Sequence, residues 1–367
     1  MITKNQWGSI NWNGTIAQNV NCEMPSDELF KGHFEQLLNV PEENMPPEIA
    51  IHDAPYLPLT DDQIQPIEVE NAMKTLKSSK SGGLSGIPPG LLRILPVQWI
   101  IFMAHLFTHL LVNAAYPENW KITKLIILFK KGPRMDPGNY RGISLMDSTA
   151  KLYDIILNKR LTLWMKPDRE QVGAQKARGC TEHLITLRLL IDYAQSKRKK
   201  LFMIFVDFSK AYDRVPRDLM LRKRQQLGCG GTMTAAIAAM YRSTRMLLRT
   251  TMITSTIGVR QGSPTSCLLF TLIVNDLIRN LKEQCAPDSY LGWLHSLMLM
   301  DDTIIFASTR ERALQKVRIL RDFCKRSGMV VNNSKTKFMV INGKNDDYSP
   351  IRDGPLSISN CVIRTPT

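Results

Sequence analysis

An adjacent pair of acids, Asp301 and Asp302, interrupts an apolar run in the stretch SLMLMDDTIIFA. An ionised carboxylate taken out of water unpaired is costly, and two neighbours also repel each other. Few arrangements hold such a pair: a compensating cation or a solvated turn. LMLM and TIIFA have the length and composition of two short strands, so the acids fall at the tip of a hairpin. Two turn-forming acids at a solvated tip satisfy that geometry without any further role.

The chain has 367 residues, of which 44% are hydrophobic, enough for one large or two ordinary domains around a sizeable core. Its 48 Lys and Arg against 33 Asp and Glu leave a net charge of +15, which favours a polyanionic partner, nucleic acid before membrane. Seven scattered cysteines form no CxxC pair and no disulfide-dense spacing, consistent with a reduced interior. MITKNQWGSINWNG has no apolar core for a secretion signal. The chain is therefore expected inside the cell, in nucleus or cytoplasm, and not secreted. The most membrane-like stretch, ILPVQWIIFMAHLFTHLLVNAAY, is broken by Pro96, Gln98, His105, His109 and Asn113. It reads as a core helix facing inward through Leu95, Trp99, Phe102, Leu106 and Leu110.

Residues 1–65, rich in Pro, Asn and acids, read as a linker or remnant, partly disordered. Beyond Pro66, Val69, Ala72, Met73 and Leu76 recur at helical spacing. KLIILFKKG reads as a strand leaving a basic turn. STAKLYDIILNKRL reads as a helix capped by Ser148, and TEHLITLRLLIDYAQSKRKK as one capped by Thr181. LFMIFVDF is apolar throughout, as in a strand buried on both faces. Further helices are expected at about 216–228, 232–245, 265–284 and 310–327. The class is mixed, α+β.

LFMIFV ends at Asp207, within FVDFSKAYDRVPR. A strand-terminal Asp serves catalysis or simply caps the next turn. With Asp301 and Asp302 it would complete a three-carboxylate oxygen cage suited to Mg²⁺. GVRQGSPTSCLLF sets Gly-Ser-Pro at the mouth of an apolar helix, where backbone can approach a phosphate, although such triplets also occur in ordinary turns. The six histidines, the Met298–Leu299–Met300 cluster and the KRKK run have ordinary core or surface explanations, and Asp213 with Arg214 reads as a local pair.

In this order and spacing, FVDFSKAYDRVPR, GVRQGSPTSCLLF, LMLMDDTIIFA and NNSKTKFMVI resemble the reverse transcriptase of non-LTR (LINE-type) retrotransposons. KLIILFKKGPRMDPGNYRGISLMDSTAKLYDIILNKRL and GAQKARGCTEHLITLRLLIDYAQ extend the resemblance upstream, to cover roughly residues 66–342. It implies a right-hand polymerase with an antiparallel palm sheet packed on helices: fingers at 66–200, palm at 201–345, a truncated tail at 346–367, and a reverse transcriptase domain at about 120–345. It implies that Asp207, Asp301 and Asp302 are the catalytic metal-binding acids, with Mg²⁺ as cofactor and Mn²⁺ as a substitute. Tyr212 would stack under the deoxyribose and exclude a 2′-hydroxyl. Gln261, Gly262 and Ser263 would touch the incoming nucleotide and template base. Lys130 and Arg141 would grip the triphosphate, Arg141 with a fork suited to phosphate oxygens. Lys335 would donate a proton to the pyrophosphate. The implied partners are an RNA template, a DNA primer and deoxynucleoside triphosphates, with no membrane; protein partners stay open.

Departures are plain. Leu299 and Met300 precede the acids where the family usually has an aromatic and Ala, GGLSGIPPG replaces Gly-Pro-Asp-Gly, and Ala177 stands where glycine is common. The chain stops about thirty residues past Lys335, so the thumb is expected to be missing, and neither an endonuclease nor a Cys/His knuckle is visible. A catalytically silent nucleic-acid-binding remnant and a metal-dependent nuclease are the competing expectations.

Overall fold

The computed structural model describes residues 24–39 and 55–361. Nine helices of ten or more residues are named here in chain order. They are α1 (Asp27–Leu38), α2 (Pro66–Thr75), α3 (Val97–Val112), α4 (Ser148–Trp164), α5 (Cys180–Ser196), α6 (Arg217–Gln226), α7 (Gly231–Tyr241), α8 (Ser266–Gln284) and α9 (Arg310–Ser327). The strands are β1 (Ile122–Phe129), β2 (Tyr140–Leu145), β3 (Leu201–Val206), β4 (Thr244–Leu248), β5 (Thr251–Ser255), β6 (Ser296–Leu299), β7 (Asp302–Ala307), β8 (Lys337–Ile341), β9 (Ile351–Asp353) and β10 (Leu356–Asn360).

Two sheets result, in the orders β2-β1-β4-β5 and β6-β7-β3-β8-β10-β9. Both are mixed, since β1 runs parallel to β4 and β8 parallel to β10. The purely antiparallel sheet expected from the resemblance is corrected accordingly. β3 lies inside the larger sheet between β7 and β8. Its Phe202, Ile204 and Val206 join the main core with α8 and α9, while Leu201 and Met203 pack with Ala194 of α5 and Phe306. Both faces are covered, which is why this strand has no polar alternation.

Three further expectations are corrected. Residues 27–38 are no linker: Phe30, Phe34 and Leu38 recur every four positions and bury against Leu125, Tyr140, Leu248 and Ile253 of the smaller sheet. Most of the Pro-rich stretch that motivated the linker lies outside the described residues. Residues 351–360 are not a bare tail but extend the larger sheet as β9 and β10. The helix expected through residue 245 ends at Tyr241, and β4 and β5 follow as a hairpin beside β1.

Helix caps and faces also shift. Asp147, not Ser148, caps α4 by accepting from the Thr149 amide at 3.1 Å, and Ser148 donates instead to Ile87 O at 2.6 Å. Gly179, not Thr181, precedes α5, with no side-chain cap. In α3 the buried stripe is Met103, Ala104, Phe107, Leu110 and Leu111. Of the expected face, Leu110 is buried and Leu95 and Leu106 pack partly buried against the core, so the departure is confined to Trp99 and Phe102. Trp99 and Phe102 pack edge to face in the open, 50% and 55% exposed. Among the described residues no helix is long and apolar enough to cross a membrane.

Candidate active site

The larger sheet brings the acids to one edge. Val206 of β3 pairs with Thr303 of β7, so Asp207, one residue on, emerges at the start of β7 where Asp302 sits. Leu299 pairs with Asp302 and closes the β6–β7 hairpin on Met300 and Asp301. Asp207 is tied at both ends of its peptide: its amide donates to Thr336 Oγ1 at 3.1 Å and its carbonyl accepts from the Asn332 amide at 2.8 Å. Lys335 Nζ stands 3.6 Å from Asp207 Oδ2. Burial pushes the Asp301 carboxyl above its ordinary range, the charges of Asp302 and Asp207 push the same way, and Arg141 opposes them.

The expected three-carboxylate cage is not preassembled. Among the described residues no group of three or more His, Cys, Asp or Glu is set to hold a metal ion. Asp301 lies in the two-residue turn and Asp302 opens β7, near enough for the charges of Asp302 and Asp207 to act on Asp301. What the fold provides is a half-buried acid repelled by two others, with a lysine on one side.

A clamp holds the hairpin tip. Met300 has a left-handed backbone, φ 59°, a conformation unfavourable for a residue with a Cβ. Gln171, completely buried, binds both sides of it: Oε1 accepts from the Met300 amide at 3.0 Å, and Nε2 donates to the Met300 carbonyl at 3.3 Å. The same Oε1 accepts from the Gly173 amide at 2.8 Å. Gly173 has to be glycine: a Cβ there would lie 2.3 Å from Met300 Sδ and 2.7 Å from its amide nitrogen. Backbone bonds from Val172 N to Met298 O and from Met298 N to Glu170 O dock this segment along β6, at 2.9 and 2.8 Å.

Cations approach from the smaller sheet. Arg141 on β2 pairs with Leu128 of β1, and Lys130, two residues past Leu128, keeps the same side by strand alternation. Both are exposed. Lys210, between Asp207 and Tyr212, joins them: Nζ donates to Gly138 O at 3.3 Å, and burial, with Lys130 and Arg141 adding, lowers its pKa.

Gln261, Gly262 and Ser263 form a loop stitched to β2 through the Ser144 amide, which donates to Gln261 O at 2.8 Å. Gly262, at φ 117°, passes so close that a Cβ would lie 2.6 Å from Ser144 O. Gln261 Nε2 donates to Asp213 Oδ1 at 2.9 Å. Ser263 does not face outward with its neighbours. It is buried, and its hydroxyl donates to Asp154, a fully buried acid of α4 whose pKa is raised by desolvation. Ser263 therefore anchors the loop. Tyr212 is half-buried against Phe270 of α8.

Gln171, Lys210 and Asp154 escaped sequence reasoning, and Asp213, read there only as a local partner of Arg214, accepts from Gln261 instead. Asp213 and Lys210 flank Tyr212 inside FVDFSKAYDRVPR, so their nearness to Asp207 was a usable signal. For Gln171 and Asp154, more than a hundred residues from their partners in sequence, no local signal exists.

The family described as "Reverse transcriptase (RNA-dependent DNA polymerase)" matches residues 129–354, more than half of the chain. The chain is 27% identical over 293 residues to "Probable RNA-directed DNA polymerase from transposon BS" of Drosophila melanogaster, covering 74% of this chain and 32% of that protein. It is 25% identical over 269 residues to the "Retrovirus-related Pol polyprotein from type-1 retrotransposable element R2" of Nasonia vitripennis, covering 70% and 26%. To "RNA-directed DNA polymerase from mobile element jockey" of Drosophila melanogaster it is 28% identical over 165 residues, covering 44% and 18%. The chain thus spans about a third or less of the length of these relatives. With its acid-bearing strands and basic hairpin, it belongs to the reverse transcriptase family, as a domain related to the polymerases of non-LTR, LINE-type retrotransposons.

Proposed function

We propose that this chain is the fingers and palm of a right-hand RNA-directed DNA polymerase that adds deoxynucleotides to a primer 3′-hydroxyl on an RNA template. The meeting of Asp207 with the Asp301–Asp302 turn at one sheet edge carries the reading. The burial that raises Asp301, reinforced by repulsion from Asp302 and Asp207, fits a site completed by a divalent cation, and Mg²⁺ needs only one or two carboxylates besides water and phosphate oxygens. Asp207 and Asp301 would hold it, Asp302 supporting, with Mn²⁺ as a substitute. When bound, the cation supplies charge stabilisation for the attacking and leaving oxygens.

The remaining work belongs to the chain. The primer 3′-oxygen attacks the α-phosphorus, its proton passes to water, and the bond to the β-phosphate breaks with loss of pyrophosphate. Lys130 and Arg141, aided by Lys210, bind the triphosphate and align it for in-line displacement. Lys335, beside Asp207, donates a proton to the departing pyrophosphate. Tyr212 supports the sugar, and the Gln261–Gly262 backbone, fixed by Asp213, Ser144 and the Ser263–Asp154 bond, faces the nascent base pair.

One observation favours a second reading. The acids are not preassembled, and a net charge of +15 is enough to hold nucleic acid without chemistry. Primer extension on a homopolymer RNA template, beside filter binding in rising salt, separates the two. Metal-dependent extension supports the polymerase; salt-sensitive binding without synthesis supports the silent remnant; shortening of the labelled primer indicates a nuclease.

A further inference from the structure

Tyr212 is held more firmly than a side chain on a short turn needs to be. It sits in a single 3₁₀ turn, Ala211–Arg214, and its carbonyl accepts from the Val259 amide at 2.9 Å. Its ring lies flat on Phe270, with centroids 4.7 Å apart and planes 11° apart. Phe270 is wholly buried, so this support cannot swing away. At the tip, the Tyr212 hydroxyl donates to Cys267 Sγ at 3.6 Å, within the longer reach of sulfur. Cys267 and Phe270 are three residues apart in the first turns of α8 and so present one face of that helix. Phe270 fixes the plane of the phenol and Cys267 fixes where its edge ends. Thr271, on the same face, donates to Met300 Sδ at 3.9 Å, so this end of α8 also touches the residue before Asp301.

We propose that Cys267 and Phe270 are specificity-determining residues for the sugar of the incoming nucleotide. By pinning the Tyr212 ring, they set the clearance that admits a 2′-deoxyribose and refuses a 2′-hydroxyl. This rests on the polymerase reading and on Tyr212 lying beneath the sugar. A ring held only by its backbone can change rotamer and retreat from an added oxygen. A ring stacked on a buried neighbour and bonded at its tip cannot do so without losing both contacts.

The test measures kcat/KM for a deoxynucleotide and for the matching ribonucleotide on one RNA template. Wild type, Cys267→Ala, Cys267→Ser, Tyr212→Phe and the Cys267→Ala/Tyr212→Phe double variant are compared. Cys267→Ala is expected to lower discrimination against the ribonucleotide about three- to tenfold, as loss of one modest hydrogen bond allows. Cys267→Ser, which restores an acceptor, returns discrimination toward wild type. Tyr212→Phe lowers it as much as Cys267→Ala does, and the double variant no further, because both remove the same bond. General damage to the fold would lower both rates together and leave their ratio unmoved. An active wild type whose ratio is unaffected by Cys267→Ala overturns this inference alone, as does an additive double variant. A wild type that incorporates no deoxynucleotide overturns the polymerase reading and this one with it.

Discussion

Gln171→Ala is the sharpest test of how the acid hairpin is held. The substitution leaves the Met300 and Gly173 amides without the oxygen they share, and the Met300 carbonyl without its donor. Gln171 is completely buried, so water replaces these bonds poorly. A stranded buried N–H costs about 1–3 kcal/mol, so two amount to about 2–6 kcal/mol. Met300 also gains a reason to move, because leaving the left-handed region releases about 1–2 kcal/mol. Rotation there swings Asp301, the next residue, and a misplacement of about 1 Å at a reacting group costs about a hundredfold in rate. Urea unfolding is therefore expected to show a clear loss of stability. Single-turnover incorporation under conditions where the variant stays folded should fall at least tenfold, with a higher Mg²⁺ requirement. Gln171→Glu keeps an acceptor for both amides but puts an oxygen against the Met300 carbonyl, and should fall between. A Gln171→Ala protein with wild-type unfolding midpoint and wild-type turnover would refute the clamp.

Two predictions concern stability alone. Ala177 has φ 59° and is exposed, so Ala177→Gly should raise stability by about 1 kcal/mol in thermal melts; no change or a loss would contradict the strain assigned there. His295 is fully buried, and burial, with Lys316, Lys282 and Arg312 outweighing Asp288, lowers its pKa to about 4. The unfolded chain then binds the extra proton between the ordinary value near 6.5 and about 4, so stability falls as pH drops through that window, by up to about 3 kcal/mol. Urea midpoints at pH 7 and 5 should differ by more in wild type than in His295→Leu; equal differences would discard this assignment.

The parts legible in the sequence are those whose cause is local. β3 is a continuous apolar run because both its faces are covered. The hairpin around Asp301 is bounded by its own strands, and α8 and α9 lie within a residue of where periodicity puts them. α1 carries a readable Phe30–Phe34–Leu38 repeat, overruled here by its proline-rich surroundings. β2 pairs with its neighbour β1, and β4 with β5 across the turn Arg249–Thr250, which carries no Gly or Asn to announce a hairpin; only the β1–β4 pairing is remote in sequence. The face of α3 could not be fixed because the helix is apolar nearly all round, and only the position of its neighbours selects Phe107 over Phe102.

At the site, residue types were legible and commitments were not. Asp207 and the Asp301–Asp302 turn meet at one sheet edge, but nothing local indicates that Ser263 turns inward to Asp154. Nor does anything local indicate that Gln171 holds the residue between β6 and the acids. These are tertiary hydrogen bonds, each spanning more than a hundred residues of sequence.

The most direct measurement is incorporation of labelled deoxynucleotide by the purified chain on a primed RNA template, with Mg²⁺ present and removed, for wild type and Asp301→Asn. The predicted result is extension that requires the metal in wild type and is lost in Asp301→Asn, while both bind the primed template alike. Extension by Asp301→Asn at the wild-type rate, or extension indifferent to the metal, would contradict the claim that these acids form the catalytic centre.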